Sequence, residues 1–231
     1  MEERNTAVVL AAGRGSRMNS DIQKQYLLIK GRPVLYYSLA QFQQCLFIDE
    51  VVLVTGREEI DYCRKEIVQK YGFTKVQKIV AGGKERYHSV YEGLKAAGTC
   101  NYVYIHDGAR PFLSREILER AHDGVRQYGA CVAAMPVKDT IKISDAQGFA
   151  DYTPPREQVW AVQTPQVFEY RLIAEAYAEL MEREEPAVTD DAMVLETVTG
   201  QKAKLVLGSY ENIKITTPED LKIAEIFLGE T

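Results

Sequence analysis

The run Ala7-Val8-Val9-Leu10 passes directly into Ala11-Ala12-Gly13-Arg14-Gly15-Ser16-Arg17-Met18, with Lys24-Gln25-Tyr26 shortly beyond. Apolar residues without polar alternation fit a strand buried on both faces. Such a strand needs helices above and below it, which points to an α/β layer architecture. The small-residue turn that follows leaves backbone N–H groups unshielded at Gly13 and Gly15. Exposed amides beside Arg17 and Lys24 suit a chain of phosphates.

The same pattern continues. The first strand is predicted over 6–12, and further strand-like runs lie at 50–55, 75–80, 101–106 and 130–135. Amphipathic stretches at 33–45, 58–71, 86–98 and 115–128 separate them. This βαβα rhythm predicts one domain over 1–231 with a mostly parallel sheet flanked by helices. Ligands of such sheets bind beyond the carboxyl ends of the strands. The segments 13–24, 82–85 and 107–110 all fall at ends of that kind.

The rhythm breaks after Pro136. Residues 137–160 carry apolar Val137, Ile141 and Ile143, then turn signals at Asp145–Gly148 and Pro154-Pro155. That pattern predicts a protruding β-hairpin arm. A lone hairpin is marginal in water, so Phe149 and Tyr152 need a partner surface, most simply a second subunit. Beyond the arm, helices are expected at 169–184 and 190–198, a strand at 203–207 and an extended piece at 213–215. A final helix is capped by Thr217 with Pro218 at its first position.

Composition narrows the classes. With 231 residues and 46% hydrophobic content the chain can bury a full core. A net charge of −5 argues against a general nucleic-acid surface. The apolar runs are too short to span a bilayer, and the start of the chain lacks the apolar core of a signal peptide. Cys45, Cys63, Cys100 and Cys131 have neither metal-ligand nor redox spacing, so they are read as buried hydrophobes in a reduced compartment. Together these predict a cytoplasmic protein with neither nucleic acid nor membrane as partner.

Several motifs remain open on the residues alone. The first turn lacks the third glycine of a dinucleotide fingerprint and the Gly-Lys-Ser/Thr of a P-loop. Gly82-Gly83-Lys84-Glu85-Arg86-Tyr87-His88-Ser89 is a second glycine turn in which Ser89 could meet a base edge, or a plain loop into a helix. Asp107 could hold a divalent metal at a strand end, or cap a turn or pair with Arg110. Lys138, Asp139, Thr140 and Arg156 read as solvated charges or polar groups flanking the arm. Lys214, between two isoleucines, either faces solvent or points into the site. Thr189-Asp190-Asp191-Ala192 reads as a helix N-cap followed by an acidic first turn.

Taken in order, Leu-Ala-Ala-Gly-x-Gly-x-Arg-Met, Lys-Gln-Tyr, Gly-Gly-x-x-Arg-x-x-Ser, His-Asp-Gly-Ala-Arg-Pro, Pro-Val-Lys-Asp-Thr, Gln-Thr-Pro-Gln, Thr-Asp-Asp-Ala and Asn-Ile-Lys-Ile-Thr-x-Pro-Glu-Asp-Leu resemble the 2-C-methyl-D-erythritol 4-phosphate cytidylyltransferase family of the non-mevalonate isoprenoid pathway. The resemblance runs from about residue 6 to 228. It implies a nucleotidyltransferase-type α/β fold, Mg²⁺ dependence and a homodimer joined by the arm. It places CTP on Ala11, Ala12, Gly13, Gly15, Arg17 and Lys24, with Gly83 and Ser89 at the cytosine and ribose end and the metal on Asp107. Arg17 and Lys24 would stabilise the transition state. Arg156 and Lys214 would position the methylerythritol phosphate, with Arg110, Asp139, Thr140 and Thr164 near it and Arg156 acting across the dimer. Leu10 stands where many members have proline, and Lys84 where many have aspartate.

The implied reaction joins two polyanions, and it needs no general base. A phosphate monoester is already largely a dianion at pH 7, with a second pKa of about 6. Mutual repulsion is the obstacle, and a ring of fixed cations answers it. A ribitol 5-phosphate cytidylyltransferase is the nearest alternative. Those relatives usually carry Ala-Gly-Gly in the first turn and Ala-Val-Arg-Pro after the metal aspartate, where this chain has Ala-Ala-Gly and Gly-Ala-Arg-Pro. A nucleotide-binding regulator without catalysis is the alternative from another class.

Overall fold

The computed structural model describes residues 3–13, 23–184 and 186–229. Its main sheet contains β1 (Asn5–Ala11), β4 (Glu50–Thr55), β5 (Val76–Ala81), β6 (Tyr102–Asp107), β7 (Ala130–Pro136), β10 (Trp160–Glu169) and β11 (Lys204–Leu207). Their order is β11-β7-β10-β6-β1-β4-β5. All pairings are parallel except those of β10, which runs antiparallel to both β6 and β7. The mostly parallel sheet read from the sequence is therefore present.

Strand β1 shows why the chain folds this way. Ala7, Val9 and Ala11 face one core and Val8 the other, and all four are buried. Helices α1 (Val34–Gln44) and α4 (Arg115–Tyr128) cover the first face. Helices α3 (Arg86–Ala97), α5 (Tyr170–Leu180) and α6 (Asp191–Thr199) cover the second. Each fully buried Val, Leu or Ile contributes about 1.5–3 kcal/mol, so the two layers clamp the sheet between them.

Helix α4 has the local logic of the whole. Ser114 caps it by accepting from the Ile117 N–H at 3.4 Å. Ile117, Leu118, Ala121 and Val125 recur at helical spacing and are buried. Gly129 ends it at φ 74°, and its N–H returns to the Val125 carbonyl.

Two features depart from the sequence reading. The predicted helix over 58–71 is instead a 3-10 turn at Arg57–Glu59, a short α2 (Ile60–Tyr62) and a π-helical stretch at Cys63–Gln69. The arm predicted over 137–160 contains only a small hairpin, β8 (Ile143–Ser144) with β9 (Ala150–Tyr152), and residue 160 already belongs to β10. Residues 213–215, expected only as an extended piece, lie outside the sheets. A further small hairpin, β2 (Leu28–Ile29) with β3 (Arg32–Pro33), packs with Ile215 and the closing helix α7 (Pro218–Phe227) in a separate apolar cluster. The four cysteines are free thiols, three of them buried and Cys100 half-buried.

Candidate active site

In register, Leu10 of β1 lies opposite Asp107 of β6, and Ala11 lies opposite Thr55 of β4. The turns leaving these strands thus open on one edge of the sheet. The Gly108 N–H binds the Leu10 carbonyl and the Gly82 N–H binds the Thr55 carbonyl, each at 2.8 Å. The resulting cleft is lined by Ala12, Gly13, Lys24, Gly83, Ser89, Asp107 and Lys214.

The first turn is held from below by Gln25, which is buried. Its amide donates to the Ala11 carbonyl at 2.6 Å and to the Gly13 carbonyl at 3.2 Å. Next to it the Tyr26 hydroxyl meets Thr55 Oγ1 at 2.7 Å. These two anchors fix the 3-10 turn Lys24–Tyr26 that carries Lys24 to the cleft. The sequence marks Gln25 only by its neighbours in Lys24-Gln25-Tyr26; its work on the carbonyls depends on a turn geometry that spacing does not reveal. Gly15 and Arg17 lie outside the described residues.

The second glycine turn leans on the first. A Cβ added to Gly82 would lie 2.6 Å from the Ala12 Cβ and 2.6 Å from Ser89 Oγ, so only glycine permits the approach. Ser89 Oγ accepts from the Gly83 N–H and reaches the Glu85 carbonyl, both at 3.2 Å.

Asp107 is the electrostatic centre. Its Oδ2 lies 2.8 Å from Lys214 Nζ, and its Oδ1 lies 3.4 Å from Arg86 Nε. Burial alone would raise this carboxyl, but Arg86, Lys214 and Arg110 together hold it well below the usual carboxylate range. The cations that pair with its carboxylate are Lys214 and Arg86, whereas Arg110 contributes only its field and a backbone N–H to the Asp107 carbonyl. Lys214 therefore points into the site, which closes the choice its sequence position left open.

On the adjoining face, Asp107 and Lys214 are joined by Arg110, Thr164 and Asp190. Burial pushes His106 down to about 4, so its ring is neutral near pH 7. Its Nε2 faces the Arg110 carbonyl at 3.3 Å, and a carbonyl can only accept, so the proton sits on Nε2. Nδ1 must then accept from the Thr164 hydroxyl at 3.0 Å, while Thr164 Oγ1 accepts from the Asp107 N–H at 3.1 Å. Thr164 thus orients the Asp107 backbone. Arg110 donates to the Asn212 carbonyl at 2.7 Å, and its buried Nε has no partner among the described residues.

The acidic start of α6, read from the sequence as an N-cap with an acidic first turn, divides into two roles. Asp190 is the N-cap, accepting from the Met193 N–H. Its neighbour Asp191 is fully buried and binds both terminal nitrogens of Arg86 at 2.8 Å. Adjacent aspartates at a helix start look alike in sequence, and only packing tells the cap from the buried partner.

The arm residues stand apart. Asp139, Thr140 and Arg156 are exposed and line neither face of the cleft, and Arg156 donates to Thr140 Oγ1 at 3.0 Å. Among the described residues no three His, Cys, Asp or Glu side chains form a metal cage, and no helix is long and apolar enough to cross a membrane.

Residues 5–230 match the family profile described as 2-C-methyl-D-erythritol 4-phosphate cytidylyltransferase (IspD). This chain belongs to that family. A relative of the same name from Lachnospira eligens is 52% identical over 97% of this chain and 99% of its own length. Another, from Clostridium kluyveri, is 50% identical over 96% and 95%. A solved structure from Anaerococcus prevotii, a 4-diphosphocytidyl-2C-methyl-D-erythritol synthase, matches with a TM-score of 0.87 and 37% identity, covering 98% of this chain and 96% of that one. The Thermus thermophilus cytidylyltransferase structure matches with a TM-score of 0.76 and 31% identity over 96% and 98%. The cleft described above is thus set in a cytidylyltransferase fold along its full length.

Proposed function

We propose that this cytidylyltransferase transfers the cytidylyl group of CTP to 2-C-methyl-D-erythritol 4-phosphate, giving 4-diphosphocytidyl-2-C-methyl-D-erythritol and pyrophosphate. The observation that supports it most is the meeting of two glycine turns with a carboxylate held between two cations at the ends of β1 and β6. A phosphate oxygen of the alcohol phosphate attacks the α-phosphorus of CTP. The new P–O bond forms as the bond to the α,β-bridging oxygen breaks, and that electron pair leaves with pyrophosphate.

No proton needs to be removed from the nucleophile, and both His106 nitrogens are already committed. The barrier is electrostatic. Like charges 4 Å apart repel by about 4 kcal/mol at an effective dielectric near 20. Lys24 and Lys214 line the cleft, and the family resemblance adds Arg17 to them. These groups act by alignment and fixed charge.

The donor set fits Mg²⁺, which takes one or two carboxylates and completes its shell with water and substrate phosphates. Asp107 would hold it together with the phosphates, and it would neutralise charge on the triphosphate. The exposed apolar side chains Ile143, Phe149 and Tyr152 support an arm that packs on a second copy. Arg156 would then serve that copy's site, with Asp139 and Thr140 beside it.

Pyrophosphate release measured with CTP and each alcohol phosphate tests the reading. Release with methylerythritol phosphate alone is expected. Release with ribitol 5-phosphate instead would overturn the substrate, and nucleotide binding without any release would mark a non-catalytic regulator.

A further inference from the structure

Arg86 is the first residue of α3, directly after the second glycine turn, and its side chain reaches two carboxylates on two other elements. Its terminal nitrogens form a two-pronged contact with Asp191, Nη1 to Oδ1 and Nη2 to Oδ2, each at 2.8 Å. A planar guanidinium gripped at both ends cannot rotate. Its Nε–H is thereby aimed at Asp107 Oδ1 at 3.4 Å.

Asp191 is itself immobilised. The Tyr177 hydroxyl donates to its Oδ1 at 2.5 Å, and the Gln166 side chain accepts from the N–H groups of Asp191 and Ala192 at 3.0 and 2.9 Å. The chain of contacts therefore runs from α5, β10 and α6 through Arg86 to the carboxylate on β6.

We propose that Arg86, clamped by Asp191, is a positioning residue for cytidylyl transfer, fixing the orientation of Asp107 and tying the glycine turn at 82–83 to it. The idea rests on the reading of the cleft as the nucleotidyl-transfer site. The two partners of Asp107 then have different roles. Arg86 is anchored at its far end, while Lys214 ends a flexible stem and is free to exchange Asp107 for an incoming phosphate. Asp107 keeps its place throughout because Oδ1 has a fixed donor.

A buried ion pair also invites a purely structural explanation, and one variant separates the two. Replacing a buried charged cluster by apolar groups of similar size is often neutral for folding, whereas removing one partner is not. The triple substitution Arg86→Met, Asp191→Leu, Tyr177→Phe removes the charges and the tyrosine hydroxyl that would lose its acceptor. In the full-length protein we expect a cooperative melt, turnover 10–100-fold lower, the scale of losing an outer partner of a ligating group, and a crystal structure with Asp107 in a changed side-chain conformation. The half-saturating divalent cation concentration should rise as well. Turnover within twofold of the parent, or Asp107 unmoved, would overturn the proposal. Should the triple variant not fold, Arg86→Lys keeps the charge and loses the fork, and the same two outcomes apply to it. A parent enzyme that releases no pyrophosphate would instead condemn the functional reading, while the crystal structure still decides whether Arg86 positions Asp107.

Discussion

Lys214→Ala separates what the Asp107 ion pair does for catalysis from what it does for the fold. Opposite charges 2.8 Å apart attract by about 6 kcal/mol at an effective dielectric near 20, and the Arg86 contact at 3.4 Å by about 5 kcal/mol. Removing Lys214 leaves Asp107 with Arg86, so no buried charge is stranded. The Lys214 side chain is also 35% exposed, so solvent already offsets most of its attraction. The fold should lose only about 1 kcal/mol, or about 2–4 °C in Tm for a chain of this size. Turnover should lose about 10²–10³, the cost of one preorganised charge aimed at the transition state. A coupled pyrophosphate assay and a thermal melt on the same preparation give both numbers. Turnover within threefold of the parent would refute the charge role. A collapse of the melt with turnover per folded molecule unchanged would make Lys214 a structural residue.

Four other outcomes follow from the same geometry. Lys24→Ala should lower turnover by about 10²–10³ with the melt little changed, read in the same assay. Mixing inactive Arg156→Ala with inactive Lys24→Ala protein should recover activity, because one mixed dimer then carries an intact site; no recovery after verified subunit exchange would contradict a site built across subunits. Gly93→Ala should destabilise by about 1–3 kcal/mol in urea melts, since the new Cβ would lie 2.4 Å from Val8 Cγ1. Burial pushes the Cys131 thiol from 9.0 up to about 12. The folded state holds that proton more tightly, so the contribution is complete below pH 9 and is lost as pH rises towards 12; Cys131→Ala should flatten that part of a stability-against-pH curve.

The parallel half of the fold was legible because strands buried on both faces write themselves as unbroken apolar runs, as at Ala7–Leu10 and Val51–Val54. Strand β10 was hidden. Pro165 lies in it, at the shift of register between Val162 and Gln166, and proline in a run argues against a strand. The 57–69 segment kept its amphipathic pattern while its hydrogen bonding changed from 3-10 through α to π, a difference that periodicity does not register. At the site, Asp107, Gly83, Ser89 and Lys214 were findable because each sits at a strand end or in a marked motif. The roles of Arg86, Asp191 and Gln25 were not legible although each lies in a quoted motif, since Arg86 meets Asp191 105 positions away and Asp107 21 away, and Gln25 meets Ala11 14 away. Asp139, Thr140 and Arg156 were marked by the family resemblance, and they stand exposed outside the cleft, so the role proposed for them requires a second copy.

The central claim is that two polyanions meet in the cleft beside Asp107. A crystal structure with a non-hydrolysable CTP analogue and Mg²⁺ tests it most directly. The account predicts the triphosphate against the Gly13 turn, within reach of Lys24, with the base at Gly83 and Ser89. A nucleotide bound elsewhere, with Lys24 turned to solvent and the Lys214–Asp107 pair untouched, would contradict it.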